Sequence, residues 1–251
     1  MFRNALFASL LCTATAAHAH YGMIIPSENM VTGNEGREIA LTLSFSHPFE
    51  EAGMEMAPPA RFTVTHDGAT TDLTGTLTPA TVMGADGFTT RYTLPRPGSH
   101  VFALEPVPYW EPAEDAFILH YTKTYVSAFG DDEGWDAELG LKTEIVPLSK
   151  PFALWAGNVF QGIVKRDGAA LPYAEVEVEH YNTEGRAAPD ELMITQTIKA
   201  DANGVFTYAA PFAGWWGFAA LTEADYTLPM DGQDKGVELG AVIWVHFEDV
   251  K

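Results

Sequence analysis

The stretch Glu38-Ile39-Ala40-Leu41-Thr42-Leu43-Ser44-Phe45-Ser46-His47 puts Ile39, Leu41, Leu43 and Phe45 on one parity and Thr42, Ser44 and Ser46 on the other. A period of two is the signature of a strand with one buried face. Segment 62–68 repeats the pattern and ends in Asp67-Gly68, a hairpin signal. Further strands are expected at 71–77, 87–93, 99–106 and 117–123, bounded by Gly, Pro or Asp, with little helical periodicity anywhere. Short strands at this spacing predict an all-β sandwich.

Pro147-Leu148-Ser149-Lys150-Pro151 reads as a linker, after which the pattern restarts. Gly157 to Val164 leads to an Asp167-Gly168 turn and then to Leu171-Pro172-Tyr173-Ala174-Glu175-Val176-Glu177-Val178-Glu179. There Val176 and Val178 are expected to face inward, with Glu175, Glu177 and Glu179 on a solvated face. Two tandem β-sandwiches follow from this reading, at 20–148 and 149–251.

Residues 1–19 have the layout of a secretory signal peptide: Arg3 in a short head, an apolar run from Ala5 to Leu11, and the small-x-small cleavage site Ala17-His18-Ala19. Cleavage there makes His20 the first residue of the mature chain and directs it to the periplasm. Its α-amine and imidazole are then two nitrogen donors on one residue. Cutting after Ala17 instead leaves His18-Ala19-His20, with a histidine third, a pattern suited to tetragonal copper or nickel. The only cysteine, Cys12, lies in the signal. The mature chain therefore has no disulfide, and a metal site must use nitrogen, oxygen or thioether ligands.

The formal net charge of −20 argues against nucleic acid or anionic membrane as partners. Beyond the signal, no segment is long and apolar enough to span a bilayer as a helix. Asp131-Asp132-Glu133 lacks the alternate-position oxygen spacing of a calcium loop and reads as solvated. Glu105 to Asp115 mixes aromatics, prolines and carboxylates in what reads as an irregular loop. His120 sits in the middle of an apolar strand and needs a hydrogen bond or a metal. His47 ends its strand on the apolar parity, where it is a packed core residue or a ligand at the sandwich mouth. His66 is expected to be solvated; His100, His180 and His246 are expected to be structural.

In the second half, Gly162-Ile163-Val164, Leu171-Pro172-Tyr173-Ala174-Glu175-Val176 and Asp201-Ala202-Asn203-Gly204-Val205-Phe206 resemble the transthyretin-like or carboxypeptidase-regulatory-like sandwich. The fold expected is thus two Ig/transthyretin-like sandwiches. The whole mature chain resembles the periplasmic component found beside energy-coupling-factor nickel/cobalt transporters, often described only as a domain of unknown function. The resemblance is carried by 20–27, 43–50, 108–115, 118–123, 157–162 and 213–218. It implies a protein that captures Ni²⁺ or Co²⁺ and passes it to a membrane component of an uptake transporter, without catalysis.

Residue chemistry fits that expectation. His20, His47 and His120 with the His20 amine offer four nitrogens, and Glu111 or Asp115 can add an oxygen or fix an imidazole tautomer. The metal set expected is His20, His47, His120 and Glu111. Copper can occupy the same donors, and Met54 and Met56 would favour Cu(I), although Gly53 to Met56 also reads as a flexible apolar turn. A copper oxygenase and a metal-free interaction module of two sandwiches are the alternatives from other classes.

Overall fold

Glu38–His47 is a strand along its whole length in the computed structural model, and Ile39, Leu41, Leu43 and Phe45 are all buried. The structure describes residues 20–33 and 36–250. The expected signal peptide, 1–19, lies outside the described residues.

Among the described residues three sheets form an all-β chain layered as β-sandwiches. The first sheet orders Tyr21–Pro26, Glu38–His47, Ala85–Thr93 and Thr78–Val82, with Ala52–Met54 added beside Glu38–His47. The longest sheet runs from Gln196–Lys199 through Glu175–His180, Gly214–Glu223, Gln233–Glu248, Ala116–Ala128 and Gly98–Glu105 to Arg61–His66 and Ala69–Asp72. The third pairs Val159–Arg166 with Thr143–Pro147, Ala169–Ala170 and Val205–Ala209. Thr143–Pro147 thus pairs with Val159–Arg166 from across the 148/149 boundary expected from sequence.

The long sheet passes through both halves. Ala116–Ala128 runs parallel to Gln233–Glu248, in register from Ala116 opposite Gly236 to Thr124 opposite Trp244. On Gln233–Glu248 the alternation of faces divides two cores. Ala241, Ile243, Val245 and Phe247 pack with Phe160, Val164 and Phe206 under the third sheet. Val242 and Trp244 point the other way, onto Tyr21 and Met23 of the first sheet. Fully burying side chains of this size stabilises by about 1.5–3 kcal/mol each, so the first strand is held down firmly. Trp244 Nε1 donates to Gly22 O at 2.9 Å, and a Cβ on Gly217 would come within 3.0 Å of both Trp244 and Tyr21.

Three local expectations are corrected. The segment 71–77 is not one strand: Asp72 Oδ1 accepts from Thr74 N–H, and Thr74–Thr76 turns as a 3₁₀ helix. Tyr109–Glu111, expected within an irregular loop, forms a hairpin with the start of Ala116–Ala128. Glu175, Glu177 and Glu179 do oppose Val176 and Val178, but their face is not solvated throughout. Glu175 stays exposed, whereas Glu179 is 1% exposed, accepting from Phe49 N–H and Thr195 Oγ1.

Candidate metal centre

Strand register brings the first two histidines together. Tyr21 pairs with Ser46 in the antiparallel ladder, so one step further sets His20 opposite His47. Their ring centroids are 4.8 Å apart. Phe45, opposite Gly22, is a shared floor: His20 stacks on it at 5.8 Å and His120 meets it edge-on at 5.6 Å. His120 arrives from the long sheet. It can sit this close because Gly22 and Gly240 have no side chains; a Cβ on Gly22 would lie 3.2 Å from His120 Cβ, and one on Gly240 would lie 2.6 Å from its Nε2.

Carboxylates ring these imidazoles. Glu111 ends the Tyr109–Glu111 strand, and its Oε1 accepts from Ala113 N–H at 2.9 Å. Its other oxygen, Oε2, lies 3.3 Å from His20 Nε2. Glu114, in the hairpin turn, places Oε1 3.7 Å from His20 Nδ1. Glu238, from the last strand, lies 3.5 Å from His120 Nε2. Asp115 is not part of the group: both its oxygens take Lys235 Nζ at 2.7 Å. Among the described residues, no Lys or Arg pairs with Glu111, Glu114 or Glu238.

Electrostatics keep the His20 ring neutral and the acids crowded. Burial, then the neighbouring His47 and His120, hold the His20 imidazole down to about 4, against the opposing pull of Glu111 and Glu238. At neutral pH that ring offers a lone pair. Burial, then Glu238 and Glu111, push the Glu114 carboxyl up. His120 is 3% exposed, its Nδ1 accepts from Gly22 N–H at 3.4 Å, and its buried Nε2 has no hydrogen-bond partner. A cavity of about 150 Å³ opens beside it, walled by Phe45, Met56, Leu104, Tyr109, Trp110 and Ile118.

The expected donors His20, His47, His120 and Glu111 thus share one neighbourhood, although among the described residues no group of three or more His, Cys, Asp or Glu side chains is placed to hold a metal ion. Met54 pairs with Phe45 in the first sheet, and Met56 packs on its core. Sequence reasoning missed Glu114 and Glu238. Glu238 carried no local signal, because only the parallel pairing of strands more than a hundred residues apart brings it to His120.

The remaining histidines among the described residues lie elsewhere. His66 is not simply solvated; it stacks on His100 at 4.0 Å. His180 packs against Phe212 and Trp216, and His246 against Trp215.

A family model described as a domain of unknown function, DUF4198, matches residues 17–224. The chain belongs to the DUF4198 family. That family description carries no activity and no link to nickel or cobalt transporters. No curated protein matches the chain. Among solved structures, the D0-D1 domain of Intimin is 12% identical, with 89% of this chain and 99% of that chain covered and a TM-score of 0.25. Fibronectin(III)-like modules of Clostridium thermocellum CbhA are 9% identical over 90% of this chain and 95% of that one, with a TM-score of 0.22. A putative carbohydrate-binding protein from Bacteroides uniformis is 10% identical over 89% and 98%, with a TM-score of 0.24. At TM-scores of 0.25 and below these likenesses carry no argument, and this DUF4198 member's site stands on its own geometry. Among the described residues, no helix is long and apolar enough to cross a membrane.

Proposed function

We propose that this DUF4198 protein is an exported, non-catalytic binding protein for a divalent transition-metal ion, Ni²⁺ or Co²⁺, which it passes to the membrane component of an uptake transporter. The observation that carries the reading is the meeting of His20 with His47, and of His20 and His120 on Phe45, beside carboxylates that have no Lys or Arg partner among the described residues. His20, His47, His120 and Glu111 would hold the ion. Imidazole suits nickel, cobalt, copper and zinc, whereas carboxylate oxygens disfavour Cu(I). In the processed chain the His20 amine would add a fourth nitrogen.

The test is isothermal titration of protein processed at His20 with Ni²⁺, Co²⁺, Cu²⁺ and Zn²⁺. Stoichiometric binding that weakens as pH falls supports the reading, because the donors must be deprotonated. No heat with any of the four removes it. Preference for Cu²⁺ alone moves the reading to a copper carrier. That no three His, Cys, Asp or Glu side chains among the described residues are placed to hold an ion favours a second reading, a metal-free interaction module. Adding one residue before His20 would leave such a module unaffected and would weaken a metal protein.

A further inference from the structure

Beside the imidazole cluster lies a cavity of about 150 Å³ for which the binding of an ion has no use. Three elements build its walls. Phe45 of Glu38–His47 and Tyr109 of Tyr109–Glu111 meet with ring centroids 4.9 Å apart. Tyr109 stands opposite Ile118 in the hairpin ladder, and the neighbouring Trp110 packs on Phe117 at 5.0 Å. The segment after Ala52–Met54 adds Met56 and Pro59, and Met56 N–H donates to Asp86 O at 3.0 Å.

Protein interiors are close-packed, and voids larger than a water molecule are few. This one is bordered by Pro59, Pro106 and Pro108, whose fixed φ stiffens the backbone around it. Its mainly apolar walls give water few hydrogen-bond partners. A cavity of about 150 Å³ lined by aliphatic and aromatic side chains stays dry and admits benzene. Phe45, Tyr109 and Trp110 also offer a guest ring the offset and edge-to-face contacts that an aliphatic guest cannot make. Charge narrows the guest further. The only Asp, Glu, Lys or Arg lining the cavity among the described residues is Glu55, and the chain is strongly acidic, so a carboxylate on the guest meets repulsion.

We propose that this cavity binds a single aromatic ring that bears no negative charge, carried by a small organic ligand. The site adjoins the imidazole cluster through Phe45 and His120 but needs no metal, so it stands or falls apart from the metal-binding reading.

The test uses the metal-free protein at pH 7.5, titrated with benzyl alcohol or benzoate and followed by methyl ¹H–¹³C spectra. Saturable shifts of the Met56, Leu104 and Ile118 methyls are expected with benzyl alcohol, with a dissociation constant on the order of 1 mM or tighter. Nuclear Overhauser effects from the guest ring to the same methyls should place it. Benzoate should bind at least about tenfold more weakly. Ala57→Phe, which sets a ring at an exposed lining position, should abolish saturation. Ala187→Phe, beside the separate apolar pocket lined by Phe212 and Trp216, should not. Shifts that do not saturate, Overhauser effects to other methyls, or unchanged binding in Ala57→Phe would overturn the site. Benzoate binding as tightly as benzyl alcohol would overturn the charge preference. Should Ala57→Phe fail to fold, the wild-type Overhauser effects decide the location alone.

Discussion

His20 and His47 face each other across the sandwich mouth at 4.8 Å, while His66 and His100 stack nearly parallel at 4.0 Å. Both pairs lie in the first half, and both include a ring that burial pushes down to about 4, His20 in one and His100 in the other. They differ in what surrounds the nitrogens. Backbone carbonyls occupy the stacked pair, with His66 Nδ1 at 3.1 Å from Ser99 O and His100 Nε2 at 3.1 Å from Arg96 O. Side-chain carboxylates surround the mouth pair. A carbonyl fixes a ring in place, whereas a carboxylate shared with neighbouring carboxylates leaves negative charge that a cation can neutralise. Two similar histidine pairs thus divide into a structural one and a candidate binding one.

The largest expected difference between the pairs is in metal affinity. His20→Ala should lower Ni²⁺ or Co²⁺ affinity at least about 100-fold, or about 2.7 kcal/mol, while His66→Ala should change it less than about twofold. Isothermal titration of both variants checks this, and equal losses would erase the distinction. Gly240→Ala comes next. Its methyl would press on the His120 ring, so a loss of about 1–3 kcal/mol in urea unfolding is expected, together with weaker metal binding. An unchanged unfolding midpoint would mean that the ring is not held as described.

The stacked pair predicts a pH effect of its own. His100 titrates near 4 when folded, because burial disfavours its charged form, and near 6.5 when unfolded. The unfolded chain therefore takes up the proton first. Stability is full above about pH 6.5 and is lost as pH falls toward 4. A fall in melting temperature on the order of 5 °C across that window is expected, reduced in His100→Gln.

The smallest effect has the opposite sign. Burial, then Glu238 and Glu114, push Glu177 up to about 7. Its neutral form is favoured by folding, so its contribution is full below about pH 4.5 and is lost as pH rises through 7. Glu177→Gln should therefore stabilise by about 1 kcal/mol at pH 8 and not at pH 4, as read by thermal melts at the two pH values.

Much of this was legible from the residues. Alternation placed Ile39, Leu41, Leu43 and Phe45 correctly, and Asp67 and Gly68 form the expected turn, both with positive φ. His20 stood out as the residue after the expected cleavage site, His47 as an imidazole at a strand end and His120 as one within an apolar run. Periodicity reports which residues share a face but not what covers it, so the burial of Glu179 and the stacking of His66 on His100 were invisible. The roles of Glu238 and Gly240 depend on a parallel pairing between distant strands, and no local pattern encodes such a register.

The unbroken ladder from Ala116–Gly236 to Thr124–Trp244 bears on how cargo would leave. Two lobes joined by a flexible hinge can gape and drop their contents. Here that motion would have to unzip a whole row of interstrand bonds, so the two halves are held together as one body along this ladder.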